Sequence, residues 1–253
     1  HQDFQEDTFR TLTAVDSVII VIDAAKGVEP QTEKLMNVCR MRKTPVIIFI
    51  NKLDRPARDS FSLLDEVENQ LNIKVIPLSW PINSGQNFKG VYNIYNHNLK
   101  LFDPDIQLIK KGIQFNDIWD PELQEHIGED ADTLREELEL IEAVYPEFNH
   151  DEYQKGNLAP VFFGSALYNF GVEELLNVFL KIAPPPQPSE AIERTVTPAE
   201  DTFSGFVFKI HANIDPNHRS RIAFVKVCSG KFERNKFYNH PRMGKNIRIT
   251  SPT

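Results

Sequence analysis

Three near-continuous runs of apolar residues mark the first two thirds of the chain: Val15 to Asp23 (VDSVIIVID), Pro45 to Asn51 (PVIIFIN) and Pro160 to Ser165 (PVFFGS). Strands covered on both faces carry such runs, whereas half-exposed strands alternate, so a buried parallel sheet is predicted. Glu29 to Arg42, between the first two runs, has a helical pattern with Pro30 in the first turn, where its missing N–H costs nothing. Ser60 to Leu71 sets Leu63, Leu64, Val67 and Leu71 at helical spacing, and Gly171 to Ile182 repeats the strand-then-helix order after the third run. This alternation predicts an α/β fold with a doubly wound, mostly parallel sheet, whose ligands bind at the carboxyl ends of the strands.

Lys74 to Leu78 is expected as a further strand. From about 81 to 155 the alternation stops over a span too long for a plain connection, which predicts an inserted subdomain. Within it, Val91 to Phe102 is expected to form strands, and Thr133 to Tyr145 an amphipathic helix capped by Asp132. A proline-rich stretch beginning Ala183-Pro184-Pro185-Pro186 predicts a stiff linker over 184–200. Beyond it, Gly205 to Ile210, Arg221 to Val227 and Lys231 to Tyr238 are separated by polar turns with no helical stretch, which predicts antiparallel β structure. Residues 201–253 are too few to close a barrel. The expected organisation is therefore 1–183, 184–200 and 201–253.

Composition narrows the class. With 41% hydrophobic and 25% charged residues among 253, the chain reads as a folded globular protein. A net charge of -8 argues against a simple nucleic-acid module held by phosphate contacts. A local basic cluster remains (Lys231, Arg234, Lys236, Arg242, Lys245, Arg248), equally readable as an RNA-facing patch or as charges that keep strand edges soluble. Cys39 and Cys228 lie far apart without metal-site spacing; both are expected to be small buried apolar residues in a reducing, cytoplasmic protein. His211, His218 and His240 show no ligand spacing and read as surface residues, so no metal site is expected among these residues. No apolar run is long enough to span a bilayer, and no signal peptide is visible.

Asn51-Lys52-Leu53-Asp54 carries the most specific chemistry. A carboxylate at a strand end can accept two parallel hydrogen bonds from guanine, one from the ring N–H and one from the exocyclic amine. Adenine offers neither donor in that arrangement, so Asp54 would be left unpaired against it. Asn51 can brace neighbouring loops, and the methylene stem of Lys52 can cover the flat base. Such a tetrapeptide arises by chance in about one chain in thirty at average composition, so its place at a strand end matters. Gly164-Ser165-Ala166 is common by itself, but it ends the next core strand, where small residues permit close backbone approach. The Ala166 N–H is then expected to donate to the guanine carbonyl. Asp23 to Val28 (DAAKGV) reads more simply as a plain strand-to-helix turn.

Asn51-Lys52-Leu53-Asp54 with Ser165-Ala166 resembles the base-recognition loops of the GTPase superfamily. His1-Gln2-Asp3-Phe4, DAAKGVEPQT (Asp23 to Thr32) and the barrel start after a proline-rich linker resemble translational GTPases. HQDFQEDTFRTL at the start, WPINSGQNFKGVY (Trp80 to Tyr92), FFGSALYNFGVEELL (Phe162 to Leu176) and SGFVFKIHANIDPNHRSRIAFVKVCSG (Ser204 to Gly230) resemble the bacterial class-II peptide chain release factors. The resemblance covers essentially the whole chain. It implies the C-terminal part of a P-loop GTPase domain with an inserted subdomain, followed by the first strands of a translation-factor β-barrel, in a chain cut at both ends. It further implies GTP and GDP as ligands, Mg²⁺ held by residues of the intact protein, and the ribosome as partner. Class-I release factors would be reached through the ribosome, by a cytoplasmic monomer. His1 matches the family histidine that orients the attacking water.

A G-x-x-x-x-G-K-[ST] phosphate loop does not occur in the sequence. Without its backbone N–H groups and lysine there is no charge stabilisation for the phosphates, so negligible hydrolysis is expected of these residues alone. Two other readings stand beside termination: an elongation-factor-like translocase, and a nonhydrolysing ribosome- or protein-binding module.

Overall fold

The 12-residue helix that begins at Pro30 and the strand that follows it show how this sequence builds its sheet. The structure, a computed structural model, describes residues 5–103, 108–109, 113–114, 118–212 and 221–249. The chain opens with α1 (Gln5–Leu12), which the hydrophobic pattern had not predicted, followed by β1 (Val18–Asp23), α2 (Pro30–Met41), β2 (Val46–Asn51), α3 (Ser60–Leu71) and β3 (Lys74–Pro77). Glu29 caps α2 with extended backbone, and Met36 and Cys39 are its buried face. The Asp59 side chain caps α3 by accepting the Ser62 N–H at 2.8 Å, and the stripe Leu63, Leu64, Val67 and Leu71 is buried as the spacing predicts.

Two compact units are present. Among the described residues, those of Val15–Pro184 form one, and residues 5–14 together with those following Pro184 form the other. In the first, β9 (Leu158–Phe163) completes a four-stranded sheet in the order β1-β2-β9-β3, every pair parallel. Strand β9 is buried at all six residues, and β2 at all but its last. Strand β1 lies at the edge, where Val21 is exposed. One side of the sheet packs Ile47, Phe49, Ile76 and Phe162 against Leu175, Val178 and Ile182 of α7 (Val172–Ile182).

The region between β3 and β9 builds a second sheet from β4 (Ser79–Ile82), β5 (Gly90–Asn93), β6 (Asn98–Asp103), β7 (Leu108–Ile109) and β8 (Ile113–Gln114), all pairs antiparallel. Helices α4 (Pro121–Ile127), α5 (Asp130–Val144) and α6 (His150–Gln154) follow. Strand β4 starts at the residue after Leu78, so the insertion grows directly out of the main sheet. The expected cap at Asp132 is not observed: α5 begins at Asp130, because Gly128 at φ 66° ends α4 and turns the chain early. Asp132 lies inside the first turn and pairs with Arg135 Nη1 at 2.9 Å.

The second unit holds α1 and three antiparallel pairs. They are β10 (Ser189–Glu190) with β11 (Thr195–Val196), β12 (Ser204–Ala212) with β13 (Arg221–Ser229), and β14 (Phe237–His240) with β15 (Lys245–Arg248). Within this unit, Asp7 of α1 pairs with Lys209 of β12 at 3.1 Å. The strand expected from Lys231 starts only at Phe237. Residues 231–236 form an irregular turn held by Phe203, Phe232 and Tyr238, whose rings lie 4.7 to 5.5 Å apart, and by the Tyr238 hydroxyl, which donates to Glu233 O at 3.0 Å. Cys39 is buried and Cys228 only partly so. His211 and His240 are described; His218 falls outside the described residues.

Candidate functional site

Parallel pairing forces β1, β2 and β9 to end on the same edge of the sheet. Asp23 stands beside Asn51 in register, and Ile50 beside Phe163. The turn after β1, the Asn51–Asp54 loop and the Gly164–Ala166 loop therefore converge, although the last is separated from the second by more than a hundred residues.

The two later loops are joined directly. Asn51 Oδ1 accepts the Lys52 N–H at 2.9 Å and the Ala166 N–H at 2.8 Å. Ser165 Oγ donates to Asp54 Oδ1 at 2.5 Å, and Arg55 Nε lies 3.7 Å from Asp54 Oδ2. Backbone bonds from Leu53 N to Gly164 O (3.2 Å) and from Gly164 N to Ile50 O (2.9 Å) complete the seam. The Ala166 N–H, expected to be free for a guanine carbonyl, is thus already engaged by Asn51. A base placed here would share that donor.

Lys52 adopts φ 74°, a left-handed backbone that costs a non-glycine residue about 1–3 kcal/mol and persists only where surroundings enforce it. Its N–H is held by Asn51 Oδ1, and its Nζ lies 2.6 Å from Asp23 Oδ2. The Lys52 bond, helped by the N–H of Ala25 and set against the cost of burial, holds the Asp23 carboxyl below its usual range. Asp23, read from the sequence as part of a plain turn, therefore belongs to the site. Leu167, next to Ala166, presents an apolar side chain at 69% exposure on the same edge.

The supports beneath the loops are close-fitting. A Cβ on Gly164 would sit 2.2 Å from Phe170 O and 2.8 Å from the Phe49 ring, so only glycine allows this approach. Ser165 and Phe170 exchange both backbone hydrogen bonds, at 2.9 and 2.8 Å, and Gly171 at φ 73° turns the chain into α7. Phe163 N donates to the buried Ser79 Oγ at 3.0 Å. After β1, Val28 N donates to Glu66 Oε1 at 2.8 Å, and Arg58 pairs with the same carboxylate. Burial opposes the Glu66 charge, but these two partners still hold its pKa below the ordinary value.

Chemically, Asp54 offers a largely buried carboxylate, 11% exposed, fixed by one hydroxyl and with lone pairs left for two N–H donors. That set suits a guanine edge. His1 lies outside the described residues. Among the described residues no group of three or more His, Cys, Asp or Glu could hold a metal ion. No described helix is long and apolar enough to cross a membrane. The six basic residues near the end are all exposed; Lys236 pairs with Glu233 and Arg248 lies over the Phe237 ring.

Residues 1–185 match the family model of the elongation factor Tu GTP binding domain, and residues 202–253 match that of elongation factor G domain 2. A crystal structure of a protein from Thermus thermophilus superposes on 98% of this chain with a TM-score of 0.68 at 19% identity. The chain spans 37% of the length of that protein.

Proposed function

The chain belongs to the translational GTPases, a GTP-binding family, and on that premise we propose that the protein it comes from acts in translation termination, promoting release of stop-codon-reading class-I release factors from the ribosome. The observation that carries the guanine-binding part is the Ser165–Asp54 hydrogen bond within loops tied together by Asn51. The termination part is supported by the release-factor-like stretches quoted above, two of which form the β4–β5 hairpin and the β12–β13 pair.

In this reading Asp54 accepts both guanine N–H donors, Ala166 N–H faces the guanine carbonyl, and Lys52 and Leu167 flank the base. Asn51 and Ser165 keep the two loops at the right separation. Hydrolysis belongs to the intact protein, in which water attacks the γ-phosphate and His1 orients that water. The setting is the cytoplasm and the partner is the ribosome. An elongation-type translocase is the second reading, favoured by the match of residues 202–253 to elongation factor G domain 2.

The test uses the complete gene product on post-termination ribosomes carrying a labelled class-I release factor. Faster factor loss with GTP than with GDP, abolished by Asp54→Ala, supports termination. No acceleration, together with GTP-driven movement of transfer RNA, makes the protein a translocase instead.

A further inference from the structure

The insertion reaches both base loops through a single turn. Between β4 and β5 the chain makes a tight bend through Asn83 (φ 62°) and Gly85 (φ 64°). Gly85 N donates to Leu53 O at 2.9 Å, inside the Asn51–Asp54 loop. Three residues later Phe88, 4% exposed, sets its ring against Phe170 at 5.2 Å and an interplanar angle of 87°. Phe170 is the residue that exchanges both backbone bonds with Ser165. One short segment thus touches the backbone of the first loop and the closing residue of the second.

The turn is anchored at its other end. Lys89 donates to Ile127 O at 3.0 Å and pairs with Asp130, which ties it to the junction of α4 and α5. Lys100 of β6, with a side chain 15% exposed, holds Glu173 at 2.9 Å and the buried Glu174 at 3.5 Å at the start of α7. Edge-to-face aromatic contact and a backbone hydrogen bond are each sensitive to displacements of a fraction of an ångström.

We propose that the 83–89 turn is a shared brace that sets the spacing between the two base-recognition loops, making Gly85 and Phe88 positioning residues for base selectivity. This rests on the guanine-binding reading above. If the loops drift apart, Asp54 still meets a purine but no longer takes both donors in line, so selectivity for the exocyclic amine is lost before binding itself. At Gly85 a side chain would stand 3.2 Å from Pro56 N on a backbone that disfavours it, pushing the turn away from Leu53. At Phe88, truncation removes the ring that backs Phe170.

The experiment measures GDP and IDP affinity in the complete gene product; hypoxanthine lacks the exocyclic amine and is otherwise the same edge. Wild type is expected to prefer GDP by about tenfold or more, the value of one donor lost opposite a buried carboxylate. Phe88→Ala and Gly85→Val are expected to reduce that ratio about fivefold or more, with Phe88→Leu intermediate. Leu123→Ala, a core truncation in α4, lowers the melting temperature without changing the ratio. Should Phe88→Ala fail to fold, Phe88→Leu and Gly85→Ala carry the test. Wild-type ratios in folded brace variants overturn the proposal, whereas equal GDP and IDP binding by the wild type overturns the guanine reading beneath it.

Discussion

Asn51 Oδ1 and the backbone N–H of Ala166 meet at 2.8 Å across 115 positions of sequence. The same oxygen takes the Lys52 N–H, so one side-chain amide closes two loops and leaves neither backbone donor idle.

Asn51→Ala removes the acceptor from both donors. Each lost bond in a partly desolvated setting costs about 1–1.5 kcal/mol, so a loss of about 2–3 kcal/mol is expected in urea denaturation of the 253-residue chain. In the complete protein, guanine nucleotide affinity should fall about tenfold or more by equilibrium titration.

Asp54→Asn changes the pattern of donors without changing shape. An amide still accepts one N–H but presents its own N–H₂ to the guanine amine, while xanthine, with a carbonyl at that carbon, now fits. GDP affinity is expected to drop about a hundredfold and XDP affinity to exceed it in competitive binding. Continued preference for GDP would place the base away from Asp54.

Glu137 accepts a hydrogen bond from Trp80 Nε1 at 2.7 Å, and burial, reinforced by the nearby Asp59 charge, pushes its carboxyl pKa up. Since the folded value exceeds the unfolded one, the fold loses stability as pH rises from the ordinary glutamate value through the raised one. Glu137→Gln keeps an acceptor for Trp80 and removes the charge. It is expected to raise stability by about 1 kcal/mol at pH 7, on the order of 2–4 °C, with the gain vanishing below about pH 4. Thermal melts of both proteins across the acidic to neutral range check this.

Gly164→Ala forces Phe170 O and the Phe49 ring to move, because neither is the end of a flexible chain. A cost of about 1–3 kcal/mol is expected, and Ser165 should lose its short bond to Asp54. Proton chemical shifts of the Ser165 and Ala166 amides would report the displacement.

The parallel sheet was legible because β2 and β9 are unbroken apolar runs, and the convergence of the Asn51–Asp54 and Gly164–Ala166 loops because their residues end those runs. Asp23 was not: its role depends on standing beside Asn51 across two strands, which a one-dimensional reading does not pair. The occupied Ala166 N–H was likewise invisible, since nothing in the sequence says that Asn51 turns its oxygen toward a loop so far away. Helix α1 escaped because QEDTFRTL is polar and short, and it packs on β12 near the other end of the sequence. The cap expected at Asp132 was misplaced because Gly128, at φ 66°, ends α4 and lets α5 start two residues earlier, at Asp130, a turn that the spacing of apolar residues does not reveal.

Strand order carries a consequence for how the protein is made. Strands β2 and β3 lie close in sequence but are not neighbours; β9 sits between them and begins only at Leu158. A nascent chain that has just emerged as far as Pro77 holds a gap in its sheet and an Asn51 loop with no partner. That gap closes only after the whole insertion has left the ribosome, so the seam between the two loops is a late event of synthesis, dominated by contacts of long sequence separation. The seam between the Asn51 and Gly164 loops can therefore form only after every residue of the insertion has been synthesised.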